Sequence, residues 1–313
     1  MEKESLPRVG AVIAAAGKPA YTQNSSISDI PERLGSITAL QRMIRALQRV
    51  EADPIVVVTG YEAEKIQKQA ASLHAICLFH KEWETTDMLA AAKVGLAYVK
   101  DLCDVVFFTP SDIPLFTADT AAALLSSDAL AAVPEKDGRH GHPLLLRTSL
   151  IPDILSYKGD GGLRGALRSL GIVRQSVSVE DDGILFNTKY HTGWEELVQK
   201  HNTQPLQMNV DITLSQELPF FDAYTASFLR LIERTQSVRS ACRQMNLSYS
   251  KGWHMLNRME EQLHYPVVVR NPGGTGGGST YLSPKGKEFL ETYELLIQKV
   301  SAFSKEMYQK LYE

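Results

Sequence analysis

A chain of 313 residues, with 44% hydrophobic and 22% charged residues, is long enough for two hydrophobic cores and has the balance of a soluble globular protein. No apolar run approaches the about 18 residues of a membrane-spanning helix, the N-terminus MEKESLPRVG lacks the apolar core of a secretion signal, and the widely spaced Cys77, Cys103 and Cys242 suit reduced thiols, not a disulfide frame or zinc site. A cytoplasmic protein with no membrane partner is expected. The net charge of −3 is uneven: residues 230–287 hold nine basic against three acidic side chains, which points to a polyanion partner for that stretch.

From the N-terminus, strand and helix signals alternate. VGAVIAAAG (9–17), DPIVVVTG (53–60), AICLFH (75–80), DVVFFTPSD (104–112) and LAAVPEK (130–136) are apolar runs that predict buried strands. ITALQRMIRALQRV (37–50), YEAEKIQKQAASL (61–73), DMLAAAKVGLAYVK (87–100) and DTAAALLSS (119–127) predict helices between them. Such alternation predicts an α/β domain built on a mostly parallel sheet with helices on both faces, in which ligands bind beyond the carboxyl ends of the strands.

Two strand ends carry chemistry. AAAGKP (14–19) places a glycine where backbone amides can approach phosphate oxygens, although glycine also ends strands merely to turn. TPSDIPLF (109–116) delivers Asp112 to the sheet edge, either as a divalent-metal ligand or as the cap of a turn.

With LGSITALQRMI (34–44), DMLAAAKVGL (87–96), GRHGHPLLL (138–146) and GDGGLRGAL (159–167), these motifs resemble, in order, those of the molybdopterin-cofactor nucleotidyltransferases, over about residues 8–198. The resemblance implies a Rossmann-like, three-layer nucleotidyltransferase domain. It implies nucleotide binding by Ala15, Ala16, Gly17, Lys18 and Asp87, acceptor binding by Gly141, His142 and Gly161, and a Mg2+ ion on Asp112 and Asn187. Lys18 and Asp112 are the catalytic candidates. The chemistry implied is transfer of a nucleotidyl group, from CTP or another nucleoside triphosphate, to a molybdopterin-type acceptor; Ala16-Gly17 is closer to the cytidylyl branch. Two departures stand out. The loop GKPAYTQNSSISDIPERLG lacks the family's arginine and its lysine at the usual place, leaving Lys18 or Arg33 as substitutes. The late acidic metal motif reads FNTKYHTGWEEL (186–197), with Asn187 as the nearest oxygen ligand.

Beyond a connector at 204–221, in which NVDITL reads as a short strand, the pattern changes. AYTASFLRLIERT (223–235) is an amphipathic helix. Ser237 is placed as the N-cap of SVRSACRQM, Asn246-Leu247 as a turn, and Ser248 as the cap of SYSKGWHMLNRMEEQL (248–263). Trp253, Leu256, Met259 and Leu263 recur at helical spacing and read as core. Pro266-Val-Val-Val and Thr280-Tyr-Leu predict a two-stranded ribbon with the tip GGTGGGS, and Ser283-Pro284 opens a long helix carrying Phe289, Leu290, Tyr293, Leu296 and Ile297. This order is that of a mainly α, winged helix-turn-helix domain. The segment resembles the DNA-binding domain of molybdate-responsive (ModE-type) repressors, relatives of the LysR-type winged helix. The expected DNA-binding residues are Ser237, Ser248, Tyr249, Ser250, Lys251, His254, Arg258 and Arg270, and the resemblance implies a homodimer through the last helix. The expected domains are 1–203 and 222–313. Two functions follow: a molybdenum-cofactor nucleotidyltransferase with an attached domain that binds double-stranded DNA, or a transcription regulator whose degenerate first domain only senses nucleotide or cofactor. A sugar-nucleotide enzyme on the same kind of fold has only fold analogy behind it.

Overall fold

The computed structural model describes residues 7–18, 33–71, 73, 75–188, 194–203, 208, 210–245, 247–271 and 279–312. The chain divides into two compact units, Met1–Pro205 and Leu206–Glu313.

In the first unit the elements are β1 (Val9–Ala15), β2 (Arg33–Leu34), β3 (Ile37–Thr38), α1 (Ala39–Arg49), β4 (Ile55–Thr59), α2 (Ala63–Ala71), β5 (Ile76–Phe79), α3 (Met88–Val99), β6 (Val105–Pro110), α4 (Ala118–Leu125), β7 (Ala131–Lys136), β8 (Arg139–His140), β9 (Leu144–Arg147), α5 (Ile151–Ser156), α6 (Gly162–Ser169), β10 (Gln175–Ser178) and α7 (Trp194–Asn202). Among the described residues the main sheet runs β10-β7-β9-β6-β1-β4-β5, with β8 beside β7. The continuous apolar strands β1, β4 and β6 fill its centre and are buried on both faces. Ala11, Ile13, Ile55, Val57 and Phe107 pack with α1 and α4 on one side. On the other, α3 lies so close that a Cβ on Gly95 would overlap Val12. Each fully buried Val, Ile or Phe here contributes about 1.5–3 kcal/mol of transfer free energy.

Besides the short β7–β8 hairpin, the sheet holds one antiparallel strand within its parallel order. β1, β4, β5 and β6 pair in parallel, and so do β7 and β10, but β9 runs antiparallel between β6 and β7. The chain turns back through the Gly-His-Pro stretch and inserts Leu144–Arg147 beside β6, burying Leu144, Leu145 and Leu146. Capping chemistry sets the helix starts: Thr38 and Gln41 form a reciprocal capping box on α1, and Asp87 and Thr117 cap α3 and α4.

The second unit holds β11 (Leu214–Ser215), β12 (Pro219–Phe221), α8 (Ala223–Thr235), α9 (Val238–Gln244), α10 (Tyr249–Leu263), β13 (Val268–Asn271), β14 (Ser279–Leu282) and α11 (Pro284–Tyr312). Among the described residues of NVDITL only Leu214 is in a strand; β11 and β12 form a short antiparallel pair whose Phe221 packs edge-on against Phe289 and Tyr293. Phe228, Ile232, Leu256 and Met259 are fully buried. Gly252 brings α10 against α9, because a Cβ there would overlap the Cys242 sulfur. Glu260 on α10 accepts from the backbone N–H groups of Val267 and Val268 and so ties the helix to the β13–β14 ribbon. The GGTGGGS tip and Asn246 lie outside the described residues, apart from Ser279 at the start of β14.

Trp253 and Leu263 correct the expected core, since both are only half-buried while Leu256 and Met259 fill it. The apolar stripe of α11 also divides. Leu290 and Tyr293 are buried in the unit, whereas Leu295, Leu296, Phe303 and Leu311 lie bare to solvent. No helix among the described residues is long and apolar enough to cross a membrane.

Candidate functional site

The carboxyl ends of β1, β4, β5 and β6 form one edge, and backbone bonds lock them together. Tyr61 N donates to Ala16 O (2.9 Å), Ser111 N to Ala14 O (2.9 Å), and His80 N to Thr59 O (2.8 Å). Ala15 and Ala16 are buried in this frame, while Gly17 and Lys18 emerge from it. Among the described residues a Cβ on Gly17 would meet nothing within 4 Å, so their packing does not demand a glycine there, and a ligand can approach the backbone closely. The continuing loop at 19–32 lies outside the described residues, and of Arg33 only the backbone is described.

Lys18 sits over two rings. Its Nζ is 5.7 Å from the centroid of Tyr61 and 6.0 Å from that of Trp83. The rings meet edge to face at 5.7 Å. Gly60 permits this, because a Cβ would overlap Trp83 and the Ala16 carbonyl. Neither ring was expected from the sequence; an aromatic two or four residues after a strand carries no distinctive pattern. Asp87 lies nearby in the chain, but its carboxylate caps α3 by accepting from Ala90 N (3.0 Å).

The structure brings Asp112 and Asn187 together from positions 75 residues apart: Asn187 Nδ2 donates to Asp112 Oδ2 at 3.2 Å. Thr188 N donates to the Asp112 carbonyl at 2.9 Å, fixing the same approach through the backbone. His142 lies within the field of Asp112. Burial pushes its pKa below the ordinary 6.5, while the Asp112 carboxylate and the Phe108 carbonyl pull the other way. Its Nδ1 is shielded from solvent and has no hydrogen-bond partner among the described residues. Gly141 has a structural duty, since a Cβ would collide with the Ile184 carbonyl that also accepts from His142 N (3.0 Å).

The turn at 181–184 is held by Asp181, a residue the sequence reading passed over. Its buried carboxylate accepts from Thr117 N (2.8 Å), Thr117 Oγ1 (2.9 Å), Thr120 Oγ1 (2.7 Å) and Gly183 N (2.9 Å). It thereby pins the segment that leads into Asn187. Apart from the turn to Gly183 nothing local marks it, because Thr117 and Thr120 lie more than sixty positions away.

Gly161 takes φ +87° and opens α6 without a side-chain cap. Arg164 and Arg168 follow at i, i+4 spacing on that helix. With Arg174 they form a like-charge group: Arg174 is pushed below the ordinary arginine range by burial and then by the two neighbouring cations, and it in turn opposes protonation of His142. This group was not foreseen, though its spacing is written in GGLRGALRS.

In the second unit, Ser237 and Ser248 spend their hydroxyl oxygens on helix caps, accepting from Ser240 N and Lys251 N (both 3.2 Å). Tyr249, Ser250, Lys251 and His254 are exposed along the start of α10, and Arg270 is exposed on β13. Arg258 lies farther along α10, beside Phe220, Phe221 and Asp222 at a small cavity of about 120 Å³.

Comparison with known proteins follows this division. Residues 32–175 match the MobA-like NTP transferase domain. A nucleotidyl transferase from Methanothermobacter thermautotroptrophicus superposes with a TM-score of 0.52 at 17% identity, covering 62% of this chain and 96% of that one, which shows a shared fold. The molybdenum-pterin-binding protein MopB of Rhodobacter capsulatus is 37% identical over 71 residues, 23% of this chain and 26% of its own length. The DNA-binding transcriptional dual regulator ModE of Escherichia coli (strain K12) is 30% identical over 94 residues, 30% of this chain and 36% of its own. The chain therefore spans only about a quarter to a third of these curated relatives. The chain thus joins a stretch that matches the MobA-like NTP transferase domain, residues 32–175, to a C-terminal region similar to ModE and MopB.

Proposed function

We propose that the first unit binds a nucleoside triphosphate, with CTP favoured, and transfers its nucleotidyl group to a molybdopterin-type acceptor, while the second binds double-stranded DNA as a winged helix in a homodimer. The observation that carries the first half is the meeting of Asp112 and Asn187 at the carboxyl edge of the sheet, beside His142. A carboxylate and an amide oxygen are hard donors suited to Mg2+, which commonly takes one or two protein oxygens and fills its sphere with phosphates and water. No cluster of three or more acidic, histidine or cysteine side chains occurs among the described residues, so such an ion would depend on the nucleotide for most of its ligands. When bound, the ion would offset charge building on the leaving pyrophosphate.

The chain's own groups supply the rest. Gly17 leaves room for phosphate oxygens near the backbone, and Lys18 offers a cation at the mouth of the site. Arg174, with Arg164 and Arg168 behind it, offers positive charge towards His142, on the side expected for the acceptor. In the transfer, a phosphate oxygen of the acceptor bonds to the α-phosphorus and the bond to the bridging oxygen breaks. Pyrophosphate then leaves with that electron pair. Removing one well-placed electrostatic contact of this kind costs about 3 kcal/mol of barrier.

A second reading is favoured by one observation: Asn187 stands where a carboxylate would hold a cation more tightly. On that reading the unit binds nucleotide or cofactor without turnover and alters DNA affinity, so that the chain acts as a regulator.

The deciding experiment is titration calorimetry of the whole protein with CTP and Mg2+, against GTP and ATP, followed by pyrophosphate release with a molybdopterin acceptor. Selective CTP binding with release supports the transferase; binding without release, accompanied by changed DNA affinity, supports the regulator. No binding of any nucleotide overturns the transferase and leaves the regulator only a cofactor to sense.

A further inference from the structure

Four side chains from three elements form a continuous ladder in the second unit. Arg239 on α9 lies 5.4 Å from the ring centroid of Tyr249. Tyr249 meets Trp253, one helical turn along α10, edge to face at 6.0 Å. Arg270 on β13 sits 3.8 Å from the centroid of Trp253, in van der Waals contact with the ring. The alternation is cation, ring, ring, cation, and it spans the first turn of α10.

Three facts separate this ladder from ordinary surface packing. Arg239 and Arg270 are exposed and, among the described residues, have no acidic partner. No Asp or Glu occurs anywhere between 234 and 259, a stretch that also carries Arg234, Arg243, Lys251 and Arg258. And Tyr249 remains 48% exposed, so the rungs are not core. An exposed arginine normally loses rotamer freedom when it engages a ligand. A guanidinium resting on a ring has already lost much of it, and the ring does not use its in-plane N–H donors, which suit the paired oxygens of a phosphate.

We propose that Tyr249 and Trp253 are positioning residues that hold Arg239 and Arg270 as two preset phosphate clamps flanking the start of α10, so that the unit grips the backbone of double-stranded DNA with prearranged cations. This rests on the DNA-binding reading of the second unit. It gives Arg239 and Trp253, neither of them expected as contacts, a defined part in it.

The test uses the whole chain and a fluorescein-labelled mixed-sequence DNA duplex, with binding followed by anisotropy across a salt series and the melting of each variant recorded. Arg239→Ala and Arg270→Ala should each reduce the slope of log affinity against log salt by about 0.9, the signature of one lost phosphate contact. Trp253→Leu keeps both charges. It should preserve the slope while weakening binding roughly two- to five-fold, the equivalent of one exposed cation–π contact. Trp253→Phe should restore most of that loss. Should Trp253→Leu not fold, the two arginine variants carry the test, since both side chains are exposed. If the wild type binds the duplex but the arginine variants retain its slope, or if folded Trp253→Leu binds as tightly as wild type, the ladder proposal is overturned and the DNA reading stands. If the wild type does not bind the duplex, the DNA reading falls and the ladder with it.

Discussion

The Asn187 amide donates to Asp112 Oδ2 at 3.2 Å, so the strand-end aspartate and the residue from the eroded late motif share one position at the sheet edge. The pairing makes a direct prediction about metal-dependent ligand binding. Asp112→Ala should weaken Mg2+-dependent CTP binding, or slow transfer where it occurs, by about 10²–10³-fold. Asn187→Asp should act in the opposite sense and strengthen the divalent-ion dependence. Calorimetry with and without Mg2+ reads both, and an Asp112→Ala protein that binds as the wild type does would remove Asp112 from the site.

Asp181 gathers four donors with one buried carboxylate. Hydrogen bonds to a charged group are worth about 1.5–3 kcal/mol each at most, and they do not add. Asp181→Ala should therefore cost on the order of 3 kcal/mol in urea unfolding of the first unit. Because the turn it holds leads into Asn187, the folded fraction should also bind nucleotide less tightly. Lost stability with unchanged nucleotide affinity would confine Asp181 to the scaffold.

Three histidines of the first unit, His80, His142 and His201, have pKa values pushed below the ordinary 6.5, in each case chiefly by burial. His201 Nε2 is 2.8 Å from the Leu115 carbonyl, and Arg42 and Arg49 further oppose its charging. The sign follows. A depressed pKa means that the unfolded chain takes up protons first, so this stabilisation is complete above about 6.5 and is lost as pH falls below that value. Melting temperature should decline on acidification before the ordinary carboxylate range is reached, and His201→Gln should flatten the decline. A melting temperature constant from neutral pH down to 5 would contradict it.

The bare half of α11 predicts self-association. Leu296 and Phe303 are 39% and 63% exposed, so charge at these positions leaves the unit's core intact. Leu296→Glu with Phe303→Glu should weaken a dimer at least tenfold in sedimentation equilibrium, with melting unchanged. A wild-type protein that stays monomeric at high concentration would leave this face without the partner assigned to it.

The legible parts of the molecule were those whose cause is local. The runs that became β1, β4 and β6 are apolar because both sheet faces are covered, and Ser237 and Ser248 announce helix starts through their hydroxyls. The place of Asp112 just beyond β6 was legible because a buried apolar run leads into it. The antiparallel insertion of β9 was not, since period and burial of Leu144–Arg147 are the same whichever way the strand runs. Trp253 misled for a related reason: helical spacing gives its side of α10, but the guanidinium above it comes from a distant strand. Asp181 and the arginine group likewise depend on partners that only the fold supplies.

The Asp181 carboxylate has a consequence for the order in which the protein is assembled. It closes onto Thr117 across 64 residues, and Asp112 meets Asn187 across 75. Closing a chain segment costs entropy that rises with length, by about 0.6 kcal/mol per doubling, and contacts far apart in sequence are made after local ones have shortened the path. The ends of β1 and β4 are joined over a much shorter span, by Ala15 facing Thr59. Nucleotide binding should therefore be gained late on refolding and surrendered early under mild denaturant, while the β1–β4 pair, closed over the shorter span, still resists hydrogen exchange.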